Sequence, residues 1–163
     1  RLMWFKVYHP AIFYAVYFTV RGADIDYEAA VGGVRVAKQH LKDNEKIPKE
    51  ERTAKDDDAL VSLQLENEML QRGCQFLPIE LGKSYASKYV VEDGKVRLPF
   101  TALRGLGDAV ALEEATIHGQ QYISVEELQQ ASGVANSVFD KLRSVGALGS
   151  LPETSQVDLF SLM

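Results

Sequence analysis

The run Ala11 to Val20, AIFYAVYFTV, constrains this chain more than any other stretch. Its apolar residues Ile12, Phe13, Ala15, Val16, Tyr17 and Val20 leave no polar face on a helix through Arg21. Such a run is too short to cross a bilayer, which takes about 20 apolar residues. A short helix without a polar side has to be buried among other elements. The chain is therefore expected to fold around this helix. His9-Pro10 reads as its entry, with proline in the first turn where the missing N–H costs nothing. Gly22 is expected to end it.

Further helices follow from caps and breakers. Asp24 or Asp26 can cap a short helix through Ala30, which Gly32-Gly33 breaks. Val34 to Leu41 predicts a third helix. Lys42 to Lys55, charged and carrying Pro48, predicts an exposed loop or a helix start. Asp56, Asp57 and Asp58 open a strong helix to about Arg72, where carboxylates complement the helix dipole. Three adjacent aspartates point in different directions on a helix, so capping outweighs a metal site. Leu60, Leu63, Leu65, Met69 and Leu70 supply the buried stripe, and Gly73 ends it. Phe76 to Leu81, Ser87 to Val91 and Val96 to Leu98 read as short strands, with a turn at Glu92 to Lys95 between the last two.

The second half opens on Leu98-Pro99-Phe100 and then Leu103-Arg104-Gly105-Leu106-Gly107. A short helix, Gly-Leu-Gly, then a longer helix is the pattern of a helix-hairpin-helix. Gly105 and Gly107 permit a tight turn without Cβ atoms in the way, and Leu106 packs inward to pin it. Backbone N–H groups at the front of the next helix can then face a phosphate. Such a contact grips DNA without reading its sequence. A second, degenerate copy runs from the cap Ser124 through Ser132-Gly133-Val134 to a last helix, Ala135 to Val145. Ala147 and Leu148 close its core.

The final stretch, Leu151-Pro-Glu-Thr-Ser-Gln-Val-Asp-Leu-Phe160, places two large apolar residues near a C-terminus after a proline and polar residues. Chain ends are usually polar and mobile unless tied down. A Leu-Phe pair behind a glutamine reads as a linear peptide for a partner's hydrophobic pocket. The competing reading is a last core strand.

Charge limits the partners. The net charge of −5 argues against a generic nucleic-acid-coating domain. From Leu106 onward, eight acids face only Lys141 and Arg143. The other basic residues lie upstream, in Arg35 to Lys55 and at Lys83, Lys88, Lys95, Arg97 and Arg104, and duplex contacts would fall to them. One cysteine, Cys74, excludes an internal disulfide framework and fits a reducing cytoplasm. No membrane span or small-residue cleavage site is expected. Arg1 opens inside an apolar-aromatic pattern, which reads as a segment of a longer protein. His9, His40 and His118 are scattered, and neither a nucleophile–base pair nor a phosphate loop can be assembled. No catalytic or metal-binding residue is predicted.

Taken together, these residues resemble the C-terminal part of the bacterial replicative DNA polymerase III alpha chain of the PolC type. The resemblance rests on Trp4 to Pro10 with Phe13-Tyr14-Ala15, Glu68 to Gly73 and Lys83-Ser84. It continues through Leu98-Pro99-Phe100, Leu103 to Gly107, Ile123 to Leu128 and the closing Leu151 to Thr154 with Gln156 to Phe160. It implies a mainly α fold with a small β element. A helical fingers-like subdomain (1–74) and a β connector (75–98) would precede a tandem helix-hairpin-helix unit (99–150) and a flexible tail (151–163). It implies duplex DNA held through its backbone by Arg104, Gly105, Leu106 and Gly107, with Lys83 and Lys141. It implies a sliding clamp held by Gln156, Asp158, Leu159 and Phe160, Val157 standing where the family has Leu. The rest of the polymerase chain is the third partner. Metal-dependent nucleotidyl transfer, with Mg, belongs by resemblance to a palm upstream of Arg1, so this segment needs no cofactor and is inactive alone. The chain departs from the family at Glu113-Glu114, where an apolar pair is usual, and in Lys42 to Lys55. The alternative is a helical protein-interaction scaffold that binds no DNA. Steep salt dependence separates phosphate binding from an apolar protein contact.

Overall fold

The computed structural model describes residues 1–21, 25–119 and 121–154. Helix α1 (Leu2–Tyr8) turns at His9 into α2 (Pro10–Arg21), which starts on the proline as the sequence predicts. Helix α2 buries Ala11, Tyr14, Ala15 and Phe18. Phe18 meets the rings of Phe76 and Tyr89 at centroid distances of 5.5 and 5.7 Å, which seats α2 on the small sheet. Its other side is not covered: Ile12, Val16 and Val20 are exposed. The expectation of a helix buried all round is thus met on one face only. Apolarity marks what avoids water, but not whether the covering surface belongs to the same stretch of chain.

Asp26 caps α3 (Tyr27–Gly32) by accepting the Ala29 N–H at 3.1 Å, while Asp24 lies outside the described residues. Gly33, at φ 81°, makes the sharp turn into α4 (Val34–Glu45), which runs a full turn past the predicted Leu41. Helix α5 (Ala54–Gln71) starts before the aspartate triplet. Its cap is Thr53, whose hydroxyl accepts the Asp56 N–H while the Asp56 carboxylate accepts the Thr53 N–H at 2.8 Å. This reciprocal pair satisfies two of the orphan donors of the first turn. Gly73, at φ 84°, ends the helix region as expected.

Strands β1 (Phe76–Leu77), β2 (Val90–Glu92) and β3 (Lys95–Arg97) form a sheet of order β1-β3-β2. β3 runs parallel to β1, with Phe76 opposite Val96, and antiparallel to β2, with Val91 opposite Val96. Asp93 and Gly94, at φ 50° and 74°, make the two-residue turn between β2 and β3, the handedness that suits twisted hairpins. β1 and β2 are shorter than the sequence predicts, while β3 keeps the expected three residues, one position earlier. Arg97 is also not a duplex-facing cation: it is 5% exposed and holds Glu92, Glu80 and the Pro78 carbonyl. One apolar cluster runs from Ala11 and Phe18 through Val96 and Phe100 to Leu142 and Leu148.

A buried acid joins the first helices. Glu66 is fully buried on α5 beside Leu63 and Leu70. Its Oε1 accepts the Asp26 N–H at 2.8 Å, while its Oε2 has no hydrogen-bond partner among the described residues. Burial, with the Asp26 charge adding to it, pushes the Glu66 carboxyl up to about 9. Asp26 in turn holds His40 Nδ1 at 2.6 Å. On the neighbouring turn, Glu68 accepts from Lys6 and from the Tyr14 hydroxyl at 2.8 Å, and these bonds, the lysine's first, hold its carboxyl below the usual range.

Candidate nucleic-acid interface

The hairpin unit begins where β3 ends. Phe100 N–H donates to the Tyr85 carbonyl at 2.9 Å and Thr101 N–H to Ala86 at 3.0 Å, which pins the approach to the 84–86 loop. In place of the expected short helix there is a single 3₁₀ turn, Phe100–Ala102. The chain then turns through Gly105, and Leu106 N–H closes back on the Leu103 carbonyl at 3.2 Å. Leu106 is half-buried against the core, as predicted.

The two glycines differ. Gly105 has φ 70°, a conformation glycine adopts without strain. Gly107 has no positive φ, and a Cβ built there meets no atom within 4 Å. The fold does not need glycine at 107. The residue after it, Asp108, takes φ 55° and stands exposed at the front of α6 (Ala109–Glu113) with no side-chain cap bond. Its carboxylate adds negative charge at the place a phosphate would occupy, a feature the sequence reading missed.

Helix α6 is also shorter than predicted, and passes directly into a π-helical turn, Glu114–His118. Glu113 turns inward: its Oε2 accepts the Ala86 N–H at 2.5 Å. That acid therefore anchors the hairpin to the 84–86 loop and does not line the outer surface. Glu114 is exposed.

The second copy follows its prediction closely. Ser124 is fully buried and accepts the Glu127 N–H at 3.2 Å at the head of α7 (Val125–Ser132). Gly133, at φ 68°, forms the turn, and α8 (Asn136–Ser144) buries Val138, Phe139 and Leu142. The remaining N–H groups at the head of α7 are taken by the chain itself: Val125 donates to the Pro152 carbonyl at 2.8 Å and Glu126 to Glu153 at 3.1 Å.

Lys141 on α8 donates to the Gly105 carbonyl at 2.5 Å, so the structure brings two predicted site residues together and ties one hairpin to the other. Arg104, Gly105 and Gly107 share the exposed turn. Lys83 belongs to a separate loop and pairs with Glu80 at 3.4 Å. Arg143 is held by Glu153 through two bonds of 2.8 Å and by Asp140 at 2.7 Å. Unpaired cations lie elsewhere: Arg35, Lys38 and Lys42 share one exposed face of α4 and have no ion-pair partner among the described residues. Their spacing was legible as a helix face, but their lack of partners was not. Gln156, Asp158, Leu159 and Phe160 lie outside the described residues. Among the described residues, no His, Cys, Asp and Glu cluster is arranged to hold a metal ion, and no helix is long and apolar enough to cross a membrane.

No family model matches the chain. Curated relatives do. A DNA polymerase III PolC-type of Thermotoga maritima is 36% identical across 98% of this chain. One from Streptococcus agalactiae is 33% identical, again across 98% of it. The chain spans only 12% and 11% of the length of these two relatives. A stretch of 163 residues that aligns almost end to end with them, in a mainly helical fold with a small sheet, belongs to the PolC-type DNA polymerase III family.

Proposed function

We propose that the chain works as the C-terminal part of a cytoplasmic replicative DNA polymerase, where it holds duplex DNA by its backbone and a sliding clamp by its tail. Nucleotidyl transfer and its magnesium ions belong to the palm of the longer chain, and this segment alone does no chemistry. Arg104 and the backbone at Gly105, Leu106 and Gly107 contact phosphates. Lys141 positions that turn through the Gly105 carbonyl, and Lys83 lies to the side as a weaker contributor. Gln156, Asp158, Leu159 and Phe160 form the clamp peptide, an interaction of about −8 kcal/mol if micromolar. Duplex and clamp contacts then reinforce each other through effective concentration.

The observation that carries the DNA reading is Gly107. Among the described residues nothing excludes a side chain there, yet a phosphate seated on the backbone would. Gly107→Ala is expected to leave the melting temperature in place and to weaken duplex binding about tenfold, or ~1.4 kcal/mol, in a fluorescence titration. Unchanged duplex affinity would remove Gly107 from the interface. For the tail, truncation after Ser155 is expected to abolish binding to a bacterial sliding clamp, measured beside the intact chain.

One observation favours the protein-only scaffold: Lys141 and Arg143, the two Lys or Arg residues after Leu106, are already bonded within the fold. Salt decides between the readings. Each phosphate neutralised contributes a slope of about −0.9 in log K against log salt, whereas an apolar protein contact gives a nearly flat line.

A further inference from the structure

Helices α1 and α2 carry an apolar surface that nothing among the described residues covers. The seven residues of α1 include no buried one, and Leu2 and Met3 are 74% and 70% exposed. On α2, Ile12, Val16 and Val20 recur every fourth residue opposite the buried Tyr14 and Phe18, and they are 47%, 60% and 73% exposed. An open groove of about 670 Å³ joins the two helices, walled by Leu2, Met3, Phe5, Ile12, Val16 and Val20. Apolar residues scattered singly on a surface are ordinary, but a contiguous patch of this kind marks a contact. A seven-residue helix with no buried side chain also has little stability of its own in water.

We infer that this face is where polymerase polypeptide outside these 163 residues packs in the longer chain, completing a core shared with α1 and α2. This rests on the family membership and on the reading that the segment works within such a chain. The relatives place this stretch in continuity with several times its own length of polypeptide, since it spans 11–12% of them. Polypeptide in the same chain is present at high effective concentration, so it outcompetes a second copy arriving by diffusion.

Thiol labelling tests this directly. The single cysteine, Cys74, is 6% exposed, so its background is low. Val16→Cys reports on the groove, and Val61→Cys, at a 55% exposed site on α5, serves as the reference. Both are labelled with a maleimide in the 163-residue chain and in a longer PolC-type chain carrying this segment, with modification read on the peptide by mass. Both sites are expected to label at similar rates in the short chain. In the longer chain, Val16→Cys should slow by roughly tenfold or more while Val61→Cys is unchanged, because burial lowers access. Equal labelling of Val16→Cys in both chains would overturn the inference. Protection already present in the short chain and lost on dilution would assign the face to a second copy, and overturn it too. Neither readout involves DNA or clamp, so this inference can fail without touching those contacts.

Discussion

The α1–α2 pair and the α7–α8 hairpin are both short helical hairpins, and they end their apolar surfaces in opposite ways. In the hairpin, Val138, Phe139 and Leu142 point into a closed core. Its helix ends are finished by Ser124, by Gly133 and by the carbonyls of Pro152 and Glu153. In the α1–α2 pair, a comparable run of large apolar residues faces outward, and the polar network of Lys6, Glu68 and Tyr14 fixes the helices without covering them. The difference teaches that closure, rather than hydrophobic content, distinguishes a self-sufficient unit from half of an interface.

The sharpest way to break that comparison is at Leu142. It is fully buried, and Leu142→Ala should cost about 2–5 kcal/mol in denaturant unfolding. A cost near zero would mean the hairpin core is not closed. Next comes Glu66, whose buried carboxyl keeps its proton in the folded state after the unfolded chain has released it. Stability from this group is therefore full below pH 4.5 and falls as pH rises toward about 9. The slope is at most about 1.4 kcal/mol per pH unit. Glu66→Gln retains an acceptor for the Asp26 N–H and should flatten that slope, as urea midpoints across pH 5–8 would register. Ser124→Ala removes a cap and should cost about 1 kcal/mol. The smallest effect is expected at Val16→Ser, within about 0.5 kcal/mol of the parent chain. A large loss there would show that the α1–α2 face is already covered.

Most of this architecture was legible in sequence where a local signal fixes it. Pro10, Asp26, Gly73, Ser124 and Gly133 each mark a helix boundary that the structure keeps, because caps and left-handed turns depend on a few adjacent residues. Helix α1 was missed because no capping side chain marks its start: Arg1, at the N-cap, makes no cap bond. The start of α5 was set too late because the aspartate triplet outshone Thr53, although Thr53 and Asp56 have capping-box spacing. Glu66 sits at a position helical with Leu63 and Leu70, but a carboxylate is read as solvated until its neighbours are known. At the interface, Gly105 and Leu106 were legible from turn chemistry. Lys141 and Glu113 find partners 36 and 27 residues away in sequence, and Arg97, besides nearby Glu92, reaches Glu80 and Pro78 at 17 and 19, beyond any local pattern.

The strap formed by Pro152 and Glu153 has a mechanical consequence. Two backbone bonds to α7 and a forked pair with Arg143 clamp the chain just before Thr154. If Leu159 and Phe160 grip a clamp, the leash between the two is short. Six residues fully extended reach about 20 Å. The clamp would then be moored close to the hairpin unit, and tension on the leash would enter the fold through α7 and α8 together, across bonds pulled side by side.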